Sequence, residues 1–300
     1  MPDVQAVRIY ARHIPEHVIP GKRLGRHVLT DSRSAAYRHQ APPGRTASAQ
    51  LWPRHIGILD QGNTGSCTGN AECGALGTGP LWDALPAGHP VLDERFARDV
   101  LYHLATQDDP YPGTYPPDDT GSDGISVSKA ALGLGLISGY THCTDIAGME
   151  DALQDGPVAV GVNWYDSFDS PSSDGTVAIS PGAQVRGGHE FLVRGTDPAA
   201  RMFRADNSWG PGWGDAGSFQ FSYATMDRLL AEQGDCTVPL PLTVSPPTPT
   251  PAPGDADAAF AAVLLEQNAT GQAWVDQRHV HYVAKVAIAG RIWLDAKGLG

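Results

Sequence analysis

Apolar residues recur along this chain with two periods. In "ISVSKAALGLGLIS" they fall three and four positions apart before glycine-flanked turns, which predicts a helix over residues 125–138. "MEDALQDG" predicts a short helix with Gly156 near its C-terminal end, and the valine-rich "PVAVGVNW" behind it predicts a buried strand. "EFLVRGTD", "MFRADNSWG" and "SFQFSYA" are short, apolar or alternating, and set apart by glycine or aspartate turns, so together they predict an antiparallel sheet or barrel. Ahead of Leu51 the pattern fades into polar sequence rich in Arg and His, where only "VQAVRIYA" alternates like a strand. Residues 1–50 therefore read as an extension packed along a larger body spanning 51–240. "PLPLTVSPPTPTPAPGD" reads as an extended linker, covering 241–254. Residues 255–300 then form a small module, with "ADAAFAAVLLEQ" and "YVAKVAIAGRIWLDAKG" as a helical hairpin. Its alanines with Trp274 and Trp293 suit packing against a protein partner, or equally against one another. No internal repeat is evident.

Composition narrows the function classes. The chain is 300 residues long and 41% hydrophobic, enough for a sizeable core in one or two domains. A net charge of −12 repels phosphate, which excludes nucleic acid and an anionic membrane as expected partners. No apolar stretch is long enough to span a bilayer, and the opening residues lack the apolar core of a secretory signal. A cytoplasmic or bacteriophage-associated location is the expectation. The cysteines are Cys67, Cys73, Cys143 and Cys236, without a CxxC pair, so reduced thiols are expected and zinc is not. Neither a metal nor a cofactor is expected elsewhere: "HVH" at His279 and His281 has no further ligand at suitable spacing. The acidic "DDPYPGTYPPDD" and "GSDG" do not fit a calcium loop and read as solvated turns.

One cysteine stands apart. "DQGNTGSCTGN" sets Cys67 among glycines and small polar residues, with Gln61 six positions before it. A thiol attacks a carbonyl only as thiolate, which requires a helix N-terminus, an imidazolium, or both nearby. Ser66 is a candidate N-cap that would put Cys67 in a first helical turn. In "QVRGGHEFLVRGTD" His189 follows two glycines at the mouth of an apolar strand, and eighteen residues on, Asn207 opens "NSWGPGWGDAGSF". A carboxamide there is suited to orienting the imidazole. Cys73, Cys143, Cys236 and His142 read as packing residues.

Gln61, "GSC", "GGH" and "NSWGPGWGDAGSF", in this order, resemble the papain-like cysteine peptidases over roughly Leu51 to Leu240. The resemblance implies an α+β, two-lobed fold: a helical lobe carrying Cys67, an antiparallel β-barrel-like lobe carrying His189 and Asn207, and a cleft between them. It further implies a cysteine endopeptidase acting on protein or peptide substrates through a thioester. Cys67 would be the nucleophile, His189 its acid–base partner, Asn207 the group orienting the ring and Trp209 its shield from water. Gln61 and the Cys67 backbone N–H would hold the oxyanion. "GSDG", from Gly121 to Gly124, would bind substrate backbone, and Glu190 would border the second substrate pocket and bias it toward basic or polar residues. Thr64 and Thr68 depart from the family pattern, which has a disulfide cysteine and an aromatic there. The missing leader, the reduced cysteines and the C-terminal tail resemble bacterial or bacteriophage members. Residues 1–50 lack the family's long helical propeptide and read as a structural strap in preference to an occluding segment. Two further classes remain compatible with the residues: a noncatalytic binding protein on the same fold, and a cell-wall amidase or transpeptidase using the same couple.

Overall fold

A computed structural model describes residues 9–31 and 37–242; the expected linker from residue 243 onward and the helical hairpin lie outside these residues. β1 (Ile9–Arg12) pairs antiparallel with β2 (Val28–Asp31), Ile9 facing Asp31. β1 is the last part of the predicted alternation, whose earlier residues are outside the described set. The other strands are β3 (Gln50–Leu51), β4 (Gly139–Cys143), β5 (Val158–Tyr165), β6 (Val185–Asp197), β7 (Met202–Asp206), β8 (Ser218–Ser222) and β9 (Asp235–Leu240). They form one seven-stranded sheet in the order β4-β9-β5-β6-β7-β8, with β3 added to β6. Every pairing in it is antiparallel, as the short alternating segments predict.

The helices are α1 (Cys67–Leu76), α2 (Gly79–Ala84), α3 (Glu94–Phe96), α4 (His103–Asp108), α5 (Gly124–Gly133), α6 (Ile146–Ala152) and α7 (Tyr223–Ala231). α3 runs into α4 through a wider turn of helix, Ala97–Tyr102. The predicted helix over 125–138 is α5, which stops at Gly133 because Gly135 takes up φ +69°, a conformation no helix accommodates. α6 begins earlier than "MEDALQDG" suggests, since Asp145 caps it by accepting the Gly148 N–H at 2.8 Å. The valine-rich strand is β5, whose neighbours β6 and β9 flank it on both edges.

Two buried apolar clusters stabilise the body. One lies on the sheet with α6 and α7 and holds Val160, Val162, Trp164, Phe191, Phe203, Phe219 and Met226 among others. The second gathers Leu76, Leu81, Phe96, Leu101, Val127 and Ile137 around α1 and α5. β6 serves both, because successive side chains of a strand point to opposite faces: Phe191 enters the first cluster and Leu192 the second. α1 is thereby pressed against β6, and its first residue meets the strand's N-terminal half, where His189 lies. No helix among the described residues is long and apolar enough to cross a membrane.

Candidate active site

Cys67 is the first residue of α1 and is wholly buried. Ser66 occupies the N-cap position, yet its hydroxyl does not cap the helix; it accepts from Asn70 Nδ2 at 3.1 Å instead. The backbone N–H groups of Glu190 and Thr68 are close enough to favour the ionised thiol. Burial, reinforced by the Glu190 carboxyl, pushes it well above the usual cysteine range and outweighs those donors. This is the reverse of the lowered value expected from a helix N-terminus alone.

His189 on β6 is also wholly buried, and its Nε2 lies 2.7 Å from Asn207 Oδ1. Oδ1 can only accept, so Nε2 carries the proton and Nδ1 is left with its lone pair. That Nδ1 has no hydrogen-bond partner, and none joins it to Cys67. Burial holds the imidazole at about 3, with the Asn207 bond opposing the shift. Thiol and imidazole are therefore both neutral in this state. Asn207 is fixed from both sides: Oδ1 also accepts the Ser208 N–H at 2.8 Å, and Asp206 before it is pinned by Arg54, Arg194 and Ser218. Trp209 lies over the imidazole, ring centroids 5.1 Å apart, while Trp164 meets it edge-on at 4.7 Å. Both rings pack against His189, and the His189 and Asn207 side chains are buried.

Gln61 joins the group through Ser208, whose hydroxyl donates to Gln61 Oε1 at 2.6 Å. Its Nε2 donates to Thr64 O at 2.9 Å and to Leu24 O at 3.4 Å. The second acceptor belongs to the N-terminal extension, which crosses the site here. Gly25 and Arg26 N–H both donate to Gly188 O, next to His189, at 3.0 and 2.9 Å. On the other side His27 N–H donates to Ser122 O at 2.7 Å and Ser122 N–H to Gly25 O at 2.8 Å, a parallel bridge centred on Arg26 and Ser122. Trp209 Nε1 donates to Arg23 O at 2.9 Å. Upstream, Arg186 grips the same run through His17 O and Lys22 O, and Glu16 ties Arg23 and Leu24.

The turns expected to be solvated are part of this contact. Ser122 and Asp123 are fully buried, Gly121 lies against Gly25, and Asp123 caps α5 through the Ser126 N–H. Asp119 accepts the Gly65 N–H and the Tyr102 hydroxyl, and pairs with Arg23 at 3.2 Å. Gly124, the first residue of α5, lies beneath Glu190: a Cβ there would stand 3.0 Å from Oε1. Glu190 is buried with neither carboxyl oxygen hydrogen-bonded, and burial, then Asp235, raises its pKa well above the usual carboxylate range. Opposite it, Arg26 is buried with Nη2 bonded to Asp235 Oδ2 at 3.0 Å and Gln233 O at 2.7 Å.

Cys67, His189, Asn207, Gln61 and Trp209 thus lie together, with Gly121, Gly124 and Glu190 around them. Arg26, Asp235 and Ser208 belong to the same neighbourhood and escaped the sequence reading, whereas Ser122 lies within the "GSDG" that it had singled out. "GRHV" and "GDC" carry no motif, and only the adjacency of Ser208 to Asn207 offered a signal. Among the described residues no group of three or more His, Cys, Asp or Glu is arranged to hold a metal.

No family model matches this chain, and no curated protein does. Solved structures do. Xylellain, a cysteine protease from Xylella fastidiosa, superposes with a TM-score of 0.51 at 17% identity, covering 76% of this chain and 95% of its own. Digestive procathepsin L 3 of Tenebrio molitor larval midgut gives 0.51 at 18% identity, covering 68% of this chain and 73% of its own. At such identities the likeness speaks for architecture, and it agrees with the mixed helices and antiparallel sheet described above: the chain has the α+β fold of the papain-like cysteine proteases.

Proposed function

We propose that this protein is a latent cysteine endopeptidase, its site lying in a cleft between a helical lobe around α1 and α5 and a sheet-rich lobe built on β5 to β8. The observation that carries the reading is the His189 Nε2–Asn207 Oδ1 bond of 2.7 Å, which leaves Nδ1 unprotonated and free on the strand whose next amide favours the Cys67 thiolate. Residues Arg23 to His27 occupy the ground a substrate backbone needs, and so hold the site closed.

Once that segment moves, water and peptide enter and the desolvation that keeps both groups neutral is relieved. Nδ1 of His189 then takes the thiol proton, and the thiolate attacks the scissile carbonyl carbon. Nε2 stays bonded to Asn207, which fixes the ring plane and stabilises the imidazolium. Gln61 Nε2, freed from Leu24 O, and the Cys67 backbone N–H donate to the oxyanion; removing one such donor costs about 10²–10³ in rate. The imidazolium returns its proton to the departing amine, and a thioester remains on Cys67. His189 finally deprotonates a water that hydrolyses it.

The test is casein digestion by the full chain carrying Gly25→Val. Gly25 has φ +135°, and a Cβ there would stand 2.0 Å from Gly65 O, so valine expels the segment from its seat. Peptide release is expected from this variant and not from the Gly25→Val, Cys67→Ala chain. Release of muropeptide fragments without casein cleavage would move the assignment to a cell-wall amidase, and no hydrolysis of either would support a binding protein.

A further inference from the structure

β4 and β9 bring together two cysteines that the proposed peptidase chemistry leaves unused. In the antiparallel register of these strands Cys143 stands directly opposite Cys236. Residues so opposed point to the same face of the sheet, with Cα atoms about 4.5–5.5 Å apart, and a disulfide spans about 4.4–6.8 Å. Both side chains accordingly enter the apolar cluster on the sheet, and both are free thiols. Cys67 and Cys73 have no such relation, since their spacing on α1 puts them on different faces. The opposed pair is unequally placed. Cys236 is enclosed, 1% exposed, while Cys143, at 4%, also lines a cavity of about 450 Å³ with Arg38, His39, His142, Asp145 and Gly148. Gly148 lets the cavity reach the sulfur: a Cβ there would stand 3.7 Å from Cys143 Sγ, and a longer side chain would cover it. Burial, then the neighbouring Cys143 thiol, pushes Cys236 well above the usual cysteine range, so it stays protonated until a reactive sulfur is placed beside it.

We propose that Cys143 and Cys236 form a thiol–disulfide exchange site for a low-molecular-weight disulfide, Cys143 attacking through the cavity and Cys236 resolving the adduct into an internal disulfide between β4 and β9. The inference is independent of the peptidase reading and does not involve Cys67. In the first step the Cys143 thiol gives its proton to solvent in the cavity and its sulfur attacks one sulfur of the incoming disulfide. A mixed disulfide forms, the incoming S–S bond breaks, and one small thiolate leaves and is protonated. In the second step Cys236 loses its proton and attacks the Cys143 sulfur, expelling the other small thiolate, which is protonated in turn. Two protein thiols are thereby oxidised and one small disulfide is reduced to two thiols. The strands so joined are those that hold the N-terminal extension: His142 O accepts the His39 N–H at 2.8 Å, and Asp235, beside Cys236, holds Arg26 at 3.0 Å. The disulfide therefore braces the platform on which both ends of that extension are seated.

The experiment treats the unsubstituted full chain with oxidised glutathione, quenches it with N-ethylmaleimide under denaturing conditions, and maps its peptides by mass without reduction. One internal cross-link is expected, Cys143 to Cys236, reversed by dithiothreitol, with Cys67 and Cys73 recovered as maleimide adducts. The Cys236→Ala chain should instead accumulate a glutathione adduct on Cys143. That adduct should form about 10-fold faster than one on Cys236 in the Cys143→Ala chain, because only Cys143 is reached from the cavity. Equal rates in the two alanine variants would overturn the assignment of attacking and resolving thiol. A cross-link that includes Cys67 or Cys73, none at all, or one formed only after unfolding in urea would overturn the site itself. The cross-link in the unsubstituted chain decides the pairing even where an alanine variant fails to fold.

Discussion

Glu72 on α1 is fully buried beneath α5, with Ser128 Oγ donating to Oε2 at 3.2 Å and nothing bonded to Oε1. Burial lifts its pKa to about 7. A carboxyl raised on folding contributes stability that is fully present below its unfolded value near 4.5 and is lost as pH rises through about 7. That difference corresponds to about 3 kcal/mol between pH 4 and pH 8. Glu72→Gln, which cannot ionise, should therefore gain stability relative to the unsubstituted chain at pH 8 and not at pH 4, as read by urea unfolding at the two pH values. Equal differences at both would mean Glu72 is not held protonated. His189 has the opposite sign: a base lowered to about 3 by burial destabilises the folded protein as pH falls below about 6.5, its unfolded value. The residues whose chemistry is local were legible in the sequence, since Cys67, His189 and Asn207 each sit in a short run of glycines or tryptophans. Asp235 and Arg26 were not, because their bond closes a gap of 209 residues and each alone is an ordinary surface charge type.

At the level of elements, the run from Ile14 to His27 matters most. It lies between β1 and β2, contributes no regular structure of its own, and is held by backbone bonds to Gly188 and Ser122 and by side chains of Arg186, Tyr111 and Asp119. Gly25→Val should lower amide protection at Arg26 and His27 in hydrogen exchange while leaving β5 and β6 protected, since the atoms nearest the added Cβ are Gly65 backbone. Loss of protection throughout the sheet would instead make the segment a structural strap. The sequence favoured that strap because residues 1–50 lack the family's helical propeptide motifs; many of the run's contacts are made through backbone atoms, which residue type does not encode. The existence of α5 and α6 was readable from the sequence pattern, while α2, α3, α4 and α7 were not foreseen; helix ends turned on caps such as Asp123 and Asp145, single polar residues that resemble loop composition.

Over the whole molecule, β6 is the member that couples chemistry to stability. Phe191 and Leu192 feed separate apolar clusters, and His189 stands two residues before them on the same strand. Trp164 on the neighbouring strand ties the clusters' sheet side to the site: it is fully buried, touches His189, Trp209 and Phe219, and donates to Asp169 at 2.9 Å. Trp164→Ala should cost about 3–5 kcal/mol by thermal or urea unfolding and loosen the imidazole as well. The overall α+β architecture was legible, because strand alternation and helix spacing are read within ten residues; the seating of Gly25 to His27 against Gly188 and Ser122 was not, since it depends on a contact between distant parts of the chain. Covalent labelling with an epoxysuccinyl peptide, followed by peptide mass mapping, tests the central claim most directly, using the Gly25→Val chain with and without His189→Ala. The account predicts one adduct, on Cys67, that disappears when His189 is replaced. Labelling that persists without His189, or an unlabelled Cys67 in the opened chain, would contradict it.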